Sequence, residues 1–228
     1  MKVIWLGQAG LLFETNGKKI FVDPYLSDSA AVVPPYAHRR VPADEKFLRI
    51  QPDVVICTHN HADHADKETL KHYFTQTSEV LLLAPYSAWK EIRLFGGNGN
   101  NYVLFNAGTE WTFEGIRFRA VYAEHSDPFA VGVMISAEGK NYYVTGDTLY
   151  NEKIFADLAG ESVYAVFLPV NGKGNNMNCR DAVRFAERIK AEAVVPMHIG
   201  LFDDLTADIF ECPNKIRADI FREIPLKR

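Results

Sequence analysis

The stretch His59-Asn60-His61-Ala62-Asp63-His64 places three imidazoles and one carboxylate within six residues, directly after the apolar run Val54-Val55-Ile56-Cys57. Titratable groups this close together are costly to bury unless they are paired or bind a metal. On an extended chain, residues two apart project to the same side, so His59 and His61 can bind one ion together. Asp63 and His64 point apart, and a turn there would let both reach a second ion. The alternative is a polar loop of solvated histidines, but imidazole nitrogen and carboxylate oxygen are the ligands that transition metals such as zinc prefer.

Three further residues of ligand type follow apolar, strand-like runs in the same way: His125, Asp147 and His198. A lone histidine at a strand end is commonly a structural residue, and a lone aspartate after Thr-Gly is commonly a turn residue. Four occurrences of one pattern favour a shared site. The full set is too large for one tetrahedral ion and fits two ions that share a carboxylate. The candidate ligands are His59, His61, Asp63, His64, His125, Asp147 and His198.

Other polar residues have two open interpretations each. Asp23, at the end of a predicted strand, either accepts the spare N–H of a ligand histidine or forms a turn before Pro24. The segment 171–176 either binds an anionic substrate through Asn171, Lys173, Asn176 and backbone amides, or is a solvated loop. His38 lies outside the metal set in a proline-rich loop over residues 27–42, where it could contact substrate.

Composition and charge limit the class of protein. The 228 residues are 47% apolar and 24% charged, which suits a soluble globular protein, and we expect a single domain over residues 1–228. The net charge is −4 and there is no basic tract, so we expect no nucleic-acid partner, because phosphate neutralisation needs clustered Lys and Arg. A small-molecule substrate that is anionic remains compatible with one or two local cations, and a homo-oligomer is left open.

Cysteine usage and the N-terminus bear on location. Cys57, Cys179 and Cys212 lie far apart and form no CxxC motif, which indicates reduced thiols. The apolar run near the N-terminus is too short for the core of a signal peptide, and no later run is long enough to span a membrane. We therefore expect a cytoplasmic protein with no membrane association.

The apolar pattern predicts many strands early in the chain and strand–helix alternation later. Asn16-Gly17 between two strand-like runs predicts a hairpin. Asp66 is expected to cap a helix over Lys67–Phe74, which leaves His72 on a helix surface. A second helix is predicted over Tyr86–Phe95, and helical pieces are predicted after Met197. The pattern favours sheets packed face to face with helices outside, although periodicity alone also permits an ordinary α/β sandwich.

The sequence HxHxDH, the later His125, the pair Gly146-Asp147 and the final His198 resemble the metallo-β-lactamase superfamily. The resemblance implies an α/β fold, a four-layer αβ/βα sandwich, with two divalent metal ions (zinc or manganese, with iron as a third candidate) at one sheet edge. It implies that His59, His61 and His125 bind the first ion and that Asp63, His64 and His198 bind the second. Asp147 would bridge the ions, and Asp63 would also orient the nucleophile and carry a proton as a catalytic residue. A histidine at position 61 argues against the flavin-partnered di-iron branch, which has glutamate there.

A narrower resemblance, to the L-ascorbate-6-phosphate lactonase-like branch, comes from flanking residues. They are Leu6–Gly10, Asp23–Asp28, Pro169–Gly172, Asn176–Asn178 and Pro196–His198. That branch implies a cytoplasmic enzyme that opens a sugar-acid phosphate lactone, often with manganese. The expected function is therefore metal-dependent hydrolysis of a small lactone or phosphoester. The alternatives are a nuclease or phosphodiesterase of the same fold and a non-catalytic metal-binding regulator.

Overall fold

Two sheets of six strands organise the chain, and the computed structural model describes residues 1–75 and 79–227. The first sheet has the order β1-β2-β3-β4-β5-β6, antiparallel from β1 to β3 and parallel from β3 to β6. Its strands are β1 (Lys2–Gly7), β2 (Gly10–Thr15), β3 (Lys18–Val22), β4 (Val54–Ile56), β5 (Leu81–Ala84) and β6 (Asn101–Leu104). Its helices are α1 (Glu45–Leu48), α2 (Lys67–Phe74) and α3 (Tyr86–Ile92).

The second sheet has the order β12-β11-β10-β9-β8-β7, parallel from β12 to β10 and antiparallel from β10 to β7. Its strands are β7 (Glu110–Phe113), β8 (Ile116–Tyr122), β9 (Val131–Ala137), β10 (Lys140–Val144), β11 (Ala165–Pro169) and β12 (Ala193–Met197). Its helices are α4 (Glu152–Asp157) and α5 (Cys179–Ile189). Each sheet thus combines antiparallel strands with a parallel part built by helical crossovers.

Alternation along each strand buries side chains on both faces of the sheets. In β1, Val3 and Trp5 join the core between the sheets, whereas Ile4 and Leu6 face the layer that contains α1–α3. On the other side, α4 contacts β8 and α5 contacts β11. The resulting order, helices, sheet, sheet, helices, confirms the four-layer αβ/βα sandwich.

Aromatic side chains fill the space between the sheets. Consecutive tyrosines of β10 face opposite layers: the ring centroid of Tyr142 is 6.2 Å from that of Phe13, and Tyr143 is 6.3 Å from Phe185 of α5. Phe13 of the first sheet also meets Phe167 of the second edge to face, at 5.6 Å. Such pairs stabilise beyond their buried area, so Phe13 joins the two sheets directly.

Local signals in the sequence account for several boundaries. The hairpin between β2 and β3 turns at Asn16 and Gly17, which both have positive φ. The carboxylate of Asp66 accepts a hydrogen bond from the Glu68 amide and caps α2 at the predicted residue. The helix that begins at Tyr86 ends at Ile92, three residues before the predicted end.

The prediction of helical pieces after Met197 is wrong for most of that segment, where the described residues contain one short 3-10 turn, Ala207–Ile209. The segment instead covers one edge strand of each sheet, β1 and β12. The amide of Trp5 in β1 donates to the Arg222 carbonyl, and the amide of Val194 in β12 donates to the Asn214 carbonyl. Edge strands present unpaired backbone groups, and an extended segment pairs with them where a helix cannot. None of the helices formed by residues 1–75 and 79–227 combines the length and apolarity needed to cross a bilayer.

Replacing Phe13 with alanine should lower the free energy of unfolding by about 3–5 kcal/mol, because it removes a fully buried ring that links the sheets. Urea denaturation measures the change. The control is Leu94→Ala, since Leu94 is 87% exposed and its truncation should cost less than about 0.5 kcal/mol. Equal losses in the two variants would contradict the assigned core.

Candidate metal centre

The candidate ligands lie where strands of both sheets end, at one edge of the sandwich. The segment 59–64 follows β4 of the first sheet, and the three later candidates follow strands of the second sheet: His125 follows β8, Asp147 follows β10 and His198 follows β12. These three strands run in the same direction, because β8 and β10 are both antiparallel to β9 and the strands β10 to β12 are parallel. Their carboxyl ends therefore meet at one edge, where the sequence predicts a shared site.

Close approach of the two sheets at this edge depends on a glycine. Gly146 has a φ of +61°, and a Cβ there would lie 2.9 Å from the Cβ of Thr58 and from the carbonyl oxygen of Val131. The Val131 amide also donates to the Thr58 carbonyl at 2.9 Å. A larger residue at 146 would push Asp147 away from the first sheet, so the pair Gly146-Asp147 acts as a unit.

The histidine-rich segment turns at the predicted place. The amides of His64 and Ala65 donate to the His61 carbonyl at 3.0 and 2.8 Å, which closes a turn around Asp63. Asp127 holds the start of the segment, because its Oδ2 accepts hydrogen bonds from the Asn60 amide at 3.2 Å and from the Ser87 hydroxyl at 2.5 Å. The turn directs neighbouring side chains to different parts of the site.

His59, His61 and His125 form the first group. Their ring centroids lie 4.5, 4.7 and 4.9 Å apart in pairs, and one nitrogen from each lies within 4.8 Å of the others. Nε2 of His125 is 3.2 Å from Nδ1 of His61. Burial, followed by the charge of His64, lowers the pKa of both His59 and His61, so these rings are neutral and offer lone pairs.

Asp63, His64 and His198 form the second group, again with one ligand atom from each within 4.8 Å of the others. Asp147 lies between the groups: its carboxylate is 3.3 Å from Nε2 of His64 and 3.2 Å from Nε2 of His198, and it also clusters with His59. This is the arrangement that a bridging carboxylate requires, with one group on each side. The assignment of individual ligands to ions stays a prediction.

Carboxylates set the charge of the second group. Burial favours the neutral ring of His198, but Asp147 and Asp63 outweigh it and raise the pKa of His198 to about 9. Burial likewise opposes charge on His64, and Asp147, Asp63 and Asp23 nevertheless hold its pKa well above the usual value. Burial would raise the pKa of Asp147, but the cationic His198 and His64 lower it well below its usual range. Without a metal, protons on the histidines compensate the buried carboxylates.

Asp23 is the buried partner of a candidate ligand, which is one of its two predicted roles. Its Oδ2 accepts hydrogen bonds from Nδ1 of His64 at 2.8 Å and from the Thr58 hydroxyl at 2.6 Å, and its Oδ1 accepts the Thr58 amide at 2.7 Å. The same Thr58 hydroxyl is 3.1 Å from Nδ1 of His59. These contacts fix both rings with Nε2 directed into the cluster.

The donor set fits divalent metal ions. Nε2 of His59, Nε2 of His64 and Oδ1 of Asp63 are buried and have no hydrogen-bond partner within residues 1–75 and 79–227. Leaving three such atoms without partners in one place is costly, and a metal ion that displaces the proton of His64 would satisfy all of them. Imidazole nitrogens and carboxylate oxygens together suit zinc, manganese or iron.

All three predicted substrate residues line the cleft, and two of them also contact candidate ligands. The side-chain amide of Asn176 donates to Oδ2 of Asp147 at 2.9 Å, and the side-chain amide nitrogen of Asn171 is 2.9 Å from Nδ1 of His198. Lys173 lines the cleft above the cluster, but its ammonium group is 3.7 Å from the carboxylate of Asp203. Both asparagines thus contact candidate ligands, and a role in binding substrate stays a prediction for all three residues.

The two remaining histidines lie apart from the cluster. His38 is exposed, and its Nδ1 contacts Oδ2 of Asp28 at 2.6 Å. Nε2 of His72 on α2 contacts the Leu48 carbonyl at 2.8 Å. Neither belongs to the groups that could hold a metal among the described residues.

Two contacts to the cluster were not predicted from the sequence. The side-chain amide of Gln8 donates to Oδ2 of Asp63 at 2.9 Å. The backbone carbonyl of Gln8 accepts a hydrogen bond from the backbone amide of His198 at 3.1 Å. Tyr36, in the loop 27–42, lines the cleft, and burial together with the carboxylates of Asp63 and Asp147 raises its pKa. The positive φ of Gln8 cannot be seen in the sequence. The proline-rich loop indicated only a possible contact with substrate and did not single out Tyr36.

A cleft of about 1340 Å³ opens onto the cluster. Four candidate ligands form part of its lining: His61, Asp63, Asp147 and His198. A small molecule in the cleft would therefore reach the groups that could bind metal.

Comparison with known proteins identifies the family. A family model described as the Beta-lactamase superfamily domain matches residues 2–198. This match covers most of the chain and all seven candidate ligands, and the chain belongs to the metallo-β-lactamase superfamily. Two relatives at 29% identity are described as UPF0173 metal-dependent hydrolases. The one from Geobacillus thermodenitrificans aligns over 91% of this chain and 89% of its own length, and the one from Thermoplasma acidophilum over 96% and 90%.

Solved structures show the same fold. The isothiocyanate hydrolase from Delia radicum gut bacteria superposes with a TM-score of 0.75 at 20% identity and covers 100% of both chains. The metallo-β-lactamase fold protein YhfI from Bacillus subtilis superposes with a TM-score of 0.70 at 16% identity, covering 97% of this chain and 98% of that one. At these identities the likeness concerns the fold.

Replacing Asp23 with asparagine should reduce metal affinity at the group that contains His64 by about 10–100-fold, because His64 loses the carboxylate that fixes its tautomer. Isothermal titration of the metal-free protein measures the change. Asp53→Asn is the matched control: Asp53 accepts the Lys19 amide at 2.8 Å on an exposed turn, and its replacement should leave metal binding unchanged. Unchanged affinity in Asp23→Asn would contradict the role given to Asp23.

Proposed function

We propose that this chain, a metal-dependent hydrolase of the metallo-β-lactamase superfamily, binds two divalent ions and hydrolyses a small lactone or phosphoester. The observation that carries the proposal is the pair of ligand groups joined by Asp147, with three buried atoms lacking hydrogen-bond partners among the described residues. The adjoining cleft gives a small molecule access to them. A site with this donor set and an open side is typical of catalytic metal centres.

The bound ions would polarise the scissile group and lower the pKa of a water molecule toward neutrality. The protein positions the reacting groups. Gln8 holds Oδ2 of Asp63, and Oδ1, which lacks a hydrogen-bond partner in the described part of the chain, is available to bind an ion or to orient the attacking water and accept its proton. Tyr36 lines the cleft close to Asp63, and burial together with the Asp63 carboxylate raises the pKa of the Tyr36 hydroxyl, which can donate a hydrogen bond to the oxygen on which negative charge develops.

Two finer parts of the proposal concern the metal and the substrate. Zinc and manganese are the preferred candidates and iron the third, since mixed nitrogen and oxygen ligands accept all of them and availability selects among them. The resemblance to the lactonase-like branch suggests a sugar-acid phosphate lactone. Direct turnover of L-ascorbate-6-phosphate lactone tests that substrate.

The rival functions make different demands on the cleft. A nuclease needs a cationic track for the phosphate backbone, but Lys173 is paired with Asp203 and the chain carries a net charge of −4. A non-catalytic metal-binding regulator needs closed coordination, whereas the cleft opens onto candidate ligands of both groups. Both observations favour hydrolysis of a small molecule. The cytoplasmic location that we propose rests on the three widely spaced cysteines.

Replacing Asp147 or His61 with alanine should lower kcat/KM by at least about 10³-fold and reduce bound metal, because each variant removes a ligand from the cluster. A panel of lactones and phosphodiesters gives the rates, and elemental analysis gives the metal content. His72→Ala is the control, since His72 lies outside the cluster and its replacement should change neither quantity. A fully active Asp147→Ala protein without metal would contradict the proposal.

Replacing Gln8 with leucine should lower kcat about 10–100-fold and weaken metal binding, because the carboxylate of Asp63, a candidate ligand, loses a hydrogen bond worth about 1.5–3 kcal/mol. Steady-state kinetics and elemental analysis measure the two effects. Gln51→Leu is the matched control, because the Gln51 amide nitrogen is buried without a hydrogen-bond partner in the described part of the chain. Equal losses of rate and of metal in the two variants would show that Gln8 does not orient Asp63.

A further inference from the structure

One wall of the cleft above the cluster is apolar and consists of consecutive residues. Val32, Val33, Pro34 and Pro35 all line the cleft and are all exposed, with 84% of Val32 accessible to solvent. Phe202 continues this surface toward the cluster. We call these five residues the apolar wall. Contiguous exposed apolar surface beside a reactive centre marks a binding site.

Specific contacts anchor the segment that carries the apolar wall. The Ser29 hydroxyl donates to Oδ1 of Asp66 at 2.7 Å and anchors one end of the segment. At the other end, the rings of Tyr36 and Phe202 lie 5.6 Å apart, and Phe202 meets the buried Tyr25 at 5.7 Å. These contacts support the segment on both sides, so the valines and prolines stay presented to the cleft before any ligand arrives.

Charges along the rest of the cleft are nearly balanced. Apart from the candidate ligands, the lining contains four carboxylates and three ammonium groups, which belong to Asp28, Glu68, Glu91, Asp203, Lys67, Lys71 and Lys173. Lys173 is 3.7 Å from Asp203, and the ammonium groups of Lys67 and Lys71 each lie 6.0 Å from the Phe95 ring. This lining has no excess of cations for a doubly charged phosphate, whereas the apolar wall is complementary to a hydrocarbon group.

We propose that the apolar wall binds an alkyl or aryl acyl group of the substrate, so that the substrate is an apolar carboxylic ester or lactone; this inference rests on the proposed function. The carbonyl carbon would then lie at the cluster. Hydrolysis forms a bond from the water oxygen to that carbon and breaks the bond from the carbon to the leaving oxygen. One water proton passes to the leaving oxygen, which gives an alcohol and a carboxylic acid, or one hydroxy acid from a lactone.

The test is the dependence of binding and turnover on acyl chain length. Acetate, butyrate, hexanoate and octanoate, as product acids, are titrated calorimetrically into the metal-loaded protein. Because each buried CH₂ is worth about 0.8 kcal/mol, affinity should rise up to about fourfold per CH₂ along the series. The kcat/KM values of the matching γ-alkyl lactones and acyl esters should rise in the same order. Flat affinity across the series overturns the inference.

Two double variants test whether the apolar wall causes the dependence of affinity on chain length. Val32→Asn with Val33→Asn should lower octanoate affinity at least about tenfold and leave acetate affinity unchanged, because the substitutions remove apolar surface only from the wall. Leu94→Asn with Ile209→Asn is the control, since both side chains are exposed and lie outside the cleft lining. Equal octanoate affinity in the two double variants overturns the inference.

The outcomes also separate this inference from the proposed function. Chain-length-dependent binding without turnover of any ester or lactone supports the apolar subsite and contradicts the proposed reaction. Turnover with no chain-length dependence supports the reaction and overturns the subsite. Greater kcat/KM for L-ascorbate-6-phosphate lactone than for every alkyl lactone overturns it as well. The subsite is also overturned if sedimentation shows a dimer that is lost in the Val32→Asn, Val33→Asn protein while octanoate affinity is retained.

Discussion

The buried carboxylate of Asp23 is the interaction on which the arrangement of the site depends. It lies at the end of β3 and binds both the backbone and the side chain of Thr58, and it accepts Nδ1–H of His64. Through the Thr58 hydroxyl the same carboxylate also reaches the ring of His59. One residue of the first sheet thus fixes which nitrogen of two histidines faces the cluster, and an imidazole can bind a metal only through a nitrogen that carries no proton.

The sandwich supplies the other half of the site from its second sheet. Its parallel strands bring Asp147 and His198 to the same edge as β4, and Gly146 lets the sheets approach without a clash against Thr58. The strain at this edge is local, since His198 and Gln8 also have positive φ. These conformations are held by the hydrogen bond between their backbones and by the core between the sheets. Packing energy from the sandwich therefore maintains a cluster that is unfavourable by itself.

The sequence predicted those features whose information is local. The HxHxDH spacing, the strand alternation, the Asn16-Gly17 turn and the Asp66 cap each depend on neighbours within a few residues. Contacts made by tertiary closure outside the repeated strand-end pattern were not predicted, as the contact of Gln8 with Asp63 and the pairing of Lys173 with Asp203 show. The C-terminal segment was predicted to contain helical pieces, but unpaired sheet edges determine its course.

The central claim is that one carboxylate, Asp147, joins two metal sites, and anomalous diffraction from crystals of the protein purified without chelators tests it most directly. The account predicts two peaks about 3.5–4 Å apart, one among His59, His61 and His125 and one among Asp63, His64 and His198, with Asp147 between them. A single peak at full metal saturation, or two peaks without Asp147 in contact with both, would contradict it.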